Sequence, residues 1–406
     1  MSTVPERAAA PALPEKVRKP RAEVARRFVE GDLASLRVFV VLAVIWAIFQ
    51  IQNSHFLTAT NLTNLFLQIT AVGLISVGIV YVLLLGEIDL SVGALSGLAS
   101  AVMAVLNVKH GWNPYLAIAA GVLSGTIIGV VQGFFFTQFG IPSFVVTLAG
   151  LLTWQGALLK VLGSTGTVNI TDGKIVGLAN HFYSDAVGWV IAIVVIAAYA
   201  GGTLWAWRGR VKANLADQGL GGPIARIVLV AAASIAAILI ENSDRGLPLA
   251  VLILIAFVAG MEYVVTRTRF GRHVYAVGGN AEAARRAGIR VNMVRIAVFA
   301  IAGTMAAIGG ILAASRLLAV NQNSGGSDLL LLAIAGPVIA GTSLFGGRGS
   351  VWTALSGALV IGSISNGMDL LALDSSIKYM VTGGVLLAAV VIDALARRSR
   401  KTAGRV

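Results

Sequence analysis

The 406-residue chain contains no cysteine and few charged residues. The lack of cysteine excludes disulfide bonds, thiolate nucleophiles and cysteine-ligated metal sites. Only 12% of the residues are charged, whereas a soluble globular protein carries about 25%. The four histidines lack the spacing of metal ligands: His55, His110, His181 and His273. These shortages exclude a soluble enzyme of ordinary composition.

Apolar residues make up 57% of the chain, and the mean hydropathy of +0.85 excludes a disordered protein. Crossing a bilayer takes about 20 apolar residues. Twelve runs approach or exceed that length: 33–51, 65–86, 90–107, 115–138, 142–162, 187–207, 224–241, 248–266, 294–315, 330–346, 351–371 and 376–395. The sequence therefore predicts an all-α, polytopic integral membrane protein with ten to twelve transmembrane helices, twelve being preferred. Runs 90–107 and 330–346 are short, so tilted, broken or re-entrant helices are expected there.

The chain carries 31 Lys and Arg against 18 Asp and Glu, a formal net charge of +13. In a soluble protein this excess would suggest nucleic-acid binding. With the amino terminus inside, however, all but six basic residues fall in cytoplasmic segments; the six are Lys109, Lys160, Lys174, Arg245, Arg316 and Lys378. Cytoplasmic loops of membrane proteins are enriched in Lys and Arg in this way. The charge thus predicts a topology with both termini cytoplasmic, and no nucleic-acid partner.

Composition divides the chain into three parts. Residues 1–32 are rich in proline and basic residues, which predicts a disordered cytoplasmic tail. Residues 33–396 form the transmembrane domain, and residues 397–406 form a second basic cytoplasmic tail. Within the domain, Gly121, Gly125 and Gly129 recur every four residues, a spacing that predicts a close helix–helix contact.

Motifs of an enzyme are missing from the sequence. The nearest resemblance to a Walker A motif, Gly341–Gly347, is followed by Arg-Gly instead of Lys and Ser or Thr. Neither metal-ligand spacing nor a Gly-x-Ser-x-Gly nucleophile elbow with a plausible histidine and acid is present. The chain is therefore not expected to hydrolyse ATP or to act as an enzyme.

Two acidic residues, Glu87 and Asp89, lie between the second and third apolar runs. Carboxylates near the membrane interior are costly, so they require a structural or functional explanation. Two compatible interpretations remain open. Asp89 or Ser91 caps the third helix, or the segment is a broken-helix element that lines a substrate path. A proton relay is less favoured, because no basic or histidine partner lies at comparable depth nearby.

The cytoplasmic loop 267–293 contains a predicted short amphipathic helix. Asn280 is a favourable N-cap, Glu282–Ala287 is strong helix-forming sequence, and Gly288 is typical of a helix end. Its small residues would let another surface approach closely. We therefore favour a docking element over a solvated basic loop that only enforces topology. The predicted docking residues are Asn280, Glu282, Ala283, Ala284 and Gly288.

Four segments occur together in the order found in a known family. They are GEIDLSVG at 86–93, IPSFVVTLAG at 141–150, FGRHVYAVGGNAEAARRAGI at 270–289 and GTSLFGGRGS at 341–350. Through them the chain resembles, from about residue 60 to 395, the permease subunit of bacterial ABC sugar importers of the ribose, galactose, arabinose and xylose class. The segment around 280–288 resembles the permease loop that fits into a groove on the ATPase subunit.

The resemblance implies a subunit that moves a monosaccharide into the cytoplasm by alternating access. The implied partners are a second copy of the chain, a cytoplasmic ABC ATPase subunit, an extracytoplasmic sugar-binding protein and the lipid bilayer. The ATPase would bind ATP and magnesium, so no cofactor or metal is expected in this chain. The implied location is the bacterial cytoplasmic (inner) membrane, with multiple crossings.

The substrate expectation comes from chain length. Shorter ribose-type members lack much of the stretch around 185–247, and the longer form resembles xylose-importer permeases, so D-xylose is expected. An ion-gradient-driven secondary transporter of a small polar solute is the alternative function. The residues expected to line the path are Gln68, Glu87, Asp89, Phe144 and Asn366. For Gln68 and Asn366, an interhelical hydrogen bond is the favoured alternative.

Overall fold

The computed structural model describes residues 34–213 and 220–402, so the predicted tail at 1–32 lies outside the described residues. The helices are α1 (Ala34–Gln52), α2 (Ala59–Leu84), α3 (Val92–Ala104), α4 (Pro114–Phe139), α5 (Ser143–Leu162), α6 (Gly173–Asn180), α7 (Asp185–Lys212), α8 (Gly221–Asn242), α9 (Leu249–Arg267), α10 (Arg269–Gly279), α11 (Ala281–Arg286), α12 (Val291–Leu317), α13 (Ser327–Ile339), α14 (Trp352–Leu370) and α15 (Ser375–Thr402). Four short strands form two antiparallel pairs: β1 (Thr167–Asn169) with β4 (Ala319–Asn321), and β2 (Phe182–Tyr183) with β3 (Leu247–Pro248).

Each of the twelve predicted apolar runs corresponds to a helix, which confirms the all-α membrane fold. Among the described residues, eight helices are long and apolar enough to cross a membrane. The two runs predicted to be short are short: α3 continues beyond Ala104 only as a π-helical turn, and α13 has 13 residues and contains Pro337. The last helix, α15, continues past the predicted boundary at residue 396. The exact number of crossings and the cytoplasmic termini stay predictions.

Helix α2 lies at the centre of the bundle. Most of its residues are buried, because apolar and small residues occur all around its surface. It packs against α12, α14, α9 and α13, and α12 also packs along α4 and α3. Helices α7 and α8 pack mainly on each other at the periphery, and α7 buries only Gly188 and Ala192.

Glycines on α4 allow it to approach α12 closely, as the sequence predicts. A methyl group added at Gly125 would lie 2.6 Å from the Gly303 carbonyl oxygen of α12. One added at Gly129 would overlap the Phe299 carbonyl oxygen, and at Gly121 the close neighbour is a backbone carbonyl of α3. Side chains at these positions would therefore separate the helices.

We expect Gly129→Leu to lower the stability of the folded protein by about 1–3 kcal/mol, because the added atoms have no space between α4 and α12. The matched control is Gly156→Leu on α5, where an added Cβ would meet no atom within 4 Å. Thermal unfolding of both variants in the same detergent measures the difference. Equal melting temperatures for the two variants would contradict the close packing.

Contacts between the connections fall into two groups. In one group, the Ile88 amide donates to Ser143 Oγ at 3.3 Å, joining the 85–91 turn to the start of α5. In the other, Lys109 Nζ donates to the Leu162 carbonyl oxygen at 2.7 Å, near the β1–β4 pair. Following the sidedness predicted from the basic residues, we call the first group the cytoplasmic end and the second the external end.

Candidate functional site

The predicted docking element is a short helix, α11, at the cytoplasmic end. The side-chain oxygen of Asn280 accepts a 2.9 Å hydrogen bond from the Ala283 amide, which confirms Asn280 as the N-cap. Gly288 adopts φ +83°, a left-handed conformation that glycine accommodates without strain, just after the helix. The chain direction therefore changes sharply between α11 and α12.

Only some of the predicted docking residues are accessible to a partner protein. Glu282, Ala283 and Gly288 are exposed, whereas Ala284 is 4% exposed. The Ala284 methyl group packs in the core of the chain itself, so it is not available to a docked partner, contrary to its predicted role. The sequence did not reveal this orientation, because a six-residue helix is too short to show which face is buried.

Helix α10, which precedes α11 in the predicted docking loop, is anchored to the end of α2 and to the glycine-rich loop before α14. Gly278 of α10 lies against the Leu84 carbonyl oxygen so closely that an added Cβ would overlap it. The Tyr275 hydroxyl donates to the Gly349 carbonyl oxygen at 2.8 Å. Burial raises the pKa of Tyr275, so this hydroxyl keeps its proton and remains a donor. The Gly347 amide adds a 2.9 Å bond to the Leu84 carbonyl oxygen.

Glu87, in the turn after α2, forms an ion pair with Arg295 on α12. Arg295 Nη2 lies 3.0 Å from Glu87 Oε1, and the two side chains are only 23% and 15% exposed. The guanidinium also lies over the Phe136 ring, 4.8 Å from its centroid, a cation–π contact. Burial raises the pKa of Glu87, while hydrogen bonds from Ser143 and Arg295 and the charge of Arg295 oppose the shift. The sequence indicated no basic partner, because Arg295 lies 208 positions away.

Asp89 is 2% exposed and organises the turn before α3. Its Oδ1 accepts hydrogen bonds from the Ser91 amide at 2.8 Å and the Ser91 hydroxyl at 2.7 Å. Gln132 Nε2 of α4 donates to Ser91 Oγ at 2.8 Å, so the turn is tied to α4. Burial raises the pKa of Asp89, and the two bonds from Ser91 oppose that shift. The predicted cap is wrong for Ser91, whose side chain makes no capping bond.

A cavity of about 440 Å³ lies at the external end, among α2, α3, α12 and the loop before α13. Its polar lining residues are Gln68, Thr70, Ser96, Ser100, Arg316, Asn321, Asn323, Ser324 and Asp328. Of the five residues expected to line a path, only Gln68 belongs to this cavity. Gln68 could be predicted because its polar amide interrupts the apolar run 65–86. Arg316, Asp328 and the polar residues between them lie near helix ends or in the connection, where polar residues are ordinary. Thr70, Ser96 and Ser100 lie within α2 and α3, but small hydroxyl residues are common in membrane helices.

The remaining path candidates lie elsewhere. Asn366 is buried, and its Nδ2 donates to Asn61 Oδ1 at 3.1 Å and to Gln68 Oε1 at 3.5 Å. These interhelical hydrogen bonds join α14 to α2 and hold Gln68 beside the cavity. Phe144 is 51% exposed on α5 and does not line the cavity. Glu87 and Asp89 lie at the cytoplasmic end.

Comparison with known proteins gives a consistent relationship along most of the chain. Residues 61–390 match the family described as the branched-chain amino acid transport system permease component. The xylose transport system permease protein XylH of Escherichia coli strain K12 is 38% identical over 373 residues, 90% of this chain and 93% of that protein. XylH of Haemophilus influenzae is 36% identical, covering 88% and 96%. The ribose import permease protein RbsC of Bacillus subtilis is 32% identical, covering 93% and 98%. No solved structure is significantly similar to the chain.

The family match and the fold agree. The matched region runs from the start of α2 into α15, and eight described helices are suited to crossing a membrane. A permease of this kind works with an ATPase, a binding protein and the membrane. The chain therefore belongs to the family of ABC-importer permeases for sugars, and it is a multi-pass protein of the bacterial inner membrane.

Proposed function

We propose that the chain is the membrane-spanning subunit of an ATP-driven importer of D-xylose. The observation that carries this proposal is the similarity along nearly the full length to two XylH proteins at 36–38% identity, against 31–32% for RbsC proteins. The α7–α8 hairpin supports the same substrate, because it occupies the stretch around 185–247 through which the sequence resembles the longer, xylose-type permeases. The family description names branched-chain amino acids, whereas these relatives are named for sugars.

The proposed protein partners supply the functions for which the chain has no sequence motif or second half. Without a Walker A motif, ATP hydrolysis belongs to separate ATPase subunits that bind ATP and magnesium, and the chain itself is not an enzyme. The sequence shows no internal repeat, so a two-fold pathway needs a second copy of the chain. An extracytoplasmic binding protein delivers the sugar at the external end.

A mechanical connection links the docking helix to the cytoplasmic end of the bundle. Helix α12 begins at Val291, just after α11 and the left-handed Gly288, and carries Arg295 little more than one turn later. Movement of α11 by the ATPase would therefore act on the Arg295–Glu87 ion pair. We assign Glu87 and Asp89 to holding this end closed, rather than to contacting sugar.

Reconstitution in liposomes tests the proposed function. We expect the chain, assembled with its ATPase and binding protein, to accumulate labelled D-xylose only when ATP is present, and in preference to D-ribose. A protonophore should leave this uptake unchanged. Uptake that needs no ATPase and collapses with a protonophore would establish the ion-driven alternative. Transport of leucine in place of sugars would reject the substrate class.

A further inference from the structure

The external cavity is lined by an arginine, Arg316, that interacts electrostatically with Asp369 of α14 but is not in direct contact with it. Arg316, at the end of α12, is half-buried, yet within the described residues its guanidinium makes no hydrogen bond or ion pair. An arginine close to the apolar part of a membrane is costly, so such residues generally serve a ligand or a pathway. Its unused N–H donors line the cavity and are free to bind an acceptor.

The other polar groups of the cavity supply both donors and acceptors. Gln68 Oε1 accepts from Asn366, which leaves its amide NH₂ free to donate. The hydroxyl of Ser100 donates to the Gly97 carbonyl at 2.7 Å, so its oxygen lone pairs remain available as acceptors. Sugar hydroxyls both donate and accept, and this combination can satisfy them. Small apolar residues, Ala313 and Ala314, line the same cavity and suit the C–H surface of a sugar ring.

The charge of the cavity favours a neutral solute. The cation Arg316 and the anion Asp328 both line it, so their formal charges cancel. The Asp328 carboxylate also accepts a 2.7 Å hydrogen bond from the Tyr379 hydroxyl, which fixes it to α15. An ionic ligand would leave one of these two charges repelled, whereas a neutral polyhydroxyl compound can bond to both.

The volume and depth of the cavity are those expected of a solute-binding site along a transport path. The volume of about 440 Å³ lies within the range of about 300–1,000 Å³ that is typical of small-molecule sites. Gln68 lies nine residues along α2 from Ala59, or about 14 Å from the external end at a rise of about 1.5 Å per residue. The cavity therefore extends from the external end well into the bundle.

We propose that this cavity is a low-affinity binding site for one neutral monosaccharide, entered from the external end, with Gln68 and Arg316 as its principal hydrogen-bonding residues. The proposal rests on the proposed function and names the first site that the sugar occupies within the chain. Binding there is weak, because a site along a transport path must also release its solute.

The absence of cysteine allows a direct test with single introduced thiols. Ala313→Cys places one thiol in the cavity, and Asn169→Cys places one on the exposed strand β1, outside its lining. Both variants, in the full complex in liposomes, would react with a membrane-impermeant thiol reagent with and without D-xylose at tens of millimolar. We expect D-xylose to slow labelling of Ala313→Cys severalfold and to leave Asn169→Cys unchanged. Equal rates with and without the sugar at Ala313→Cys would overturn the proposal.

A second substitution separates binding from a change of conformation. Adding Arg316→Gln to Ala313→Cys removes the charged donors, and should raise the D-xylose concentration for half-protection by about tenfold or more. If protection is unchanged by Arg316→Gln, Arg316 is not a sugar ligand. D-gluconate and leucine serve as anionic and amino-acid probes, and stronger protection by either would overturn the assignment to a neutral sugar.

Transport by the wild-type complex distinguishes failure of the proposed binding site from failure of the proposed function. A wild-type complex that imports D-xylose while the cavity thiol remains unprotected would reject this binding site alone. A wild-type complex that fails to import any sugar would reject the proposed function. Membrane content and thermal stability of each variant, measured alongside, show whether it is folded.

Discussion

Replacing Ala283 with tryptophan is expected to reduce ATP-driven sugar uptake at least about tenfold, because this position is exposed on α11, the helix that we propose as the docking element for the ATPase. The side chain points out of the chain's own core, so the amount of protein in the membrane and its thermal stability should stay unchanged. Uptake into liposomes, and ATPase activity of the same complexes, measure the coupling.

Two other alanines make this prediction specific. Ala213→Trp changes an exposed alanine just after α7, on the side that the basic residues predict to be cytoplasmic, and should leave uptake intact. Ala284→Trp overfills a buried position and should lower stability by about 1–3 kcal/mol. Normal uptake by the Ala283→Trp complex would reject α11 as the docking element. An effect of equal size at Ala213→Trp would show that bulk at the cytoplasmic end is harmful in general.

Removing either charge of the Glu87–Arg295 ion pair is the second change with a large expected effect. Glu87→Gln leaves a partly buried guanidinium without its partner, and loss of about 2 kcal/mol would change the ratio of closed to open cytoplasmic ends by about thirtyfold. We expect uncoupled ATP hydrolysis and weak sugar accumulation in Glu87→Gln and in Arg295→Gln.

The double exchange distinguishes an ion pair from two separate structural roles. Combining Glu87→Arg with Arg295→Glu restores opposite charges at the same two positions, so uptake should recover part of the loss caused by either single reversal. The cation–π contact with Phe136 is lost in this variant, so full recovery is not expected. Losses that simply add in the double variant would contradict coupling between the two residues.

Local features of this protein could be predicted from the sequence because they depend on neighbouring residues. The apolar runs located the helices, the four-residue glycine spacing on α4 located a close helix contact, and Asn280 and Gly288 marked the limits of a six-residue helix. Each of these signals acts within one or two helical turns.

Contacts between distant parts of the chain could not be predicted in the same way. Glu87 looked unpartnered because Arg295 reaches it only after α2 and α12 have packed together. The burial of Ala284 likewise depends on the core beneath α11. The external cavity brings Gln68 near Arg316 and Asp328, and only Gln68 is unusual for its position in the sequence.

The β2–β3 pair has a consequence for how the chain could have changed length. Tyr183 and Leu247 are direct cross-strand partners, so the chain leaves and re-enters the bundle at two adjacent points. The α7–α8 hairpin between them is therefore a removable module, since a tight turn of two residues is enough to join antiparallel strands. A single event could exchange residues 184–246 for such a turn, or the turn for those residues, while α2, α12 and the cavity kept their positions. A short and a long permease can thus share one transport core.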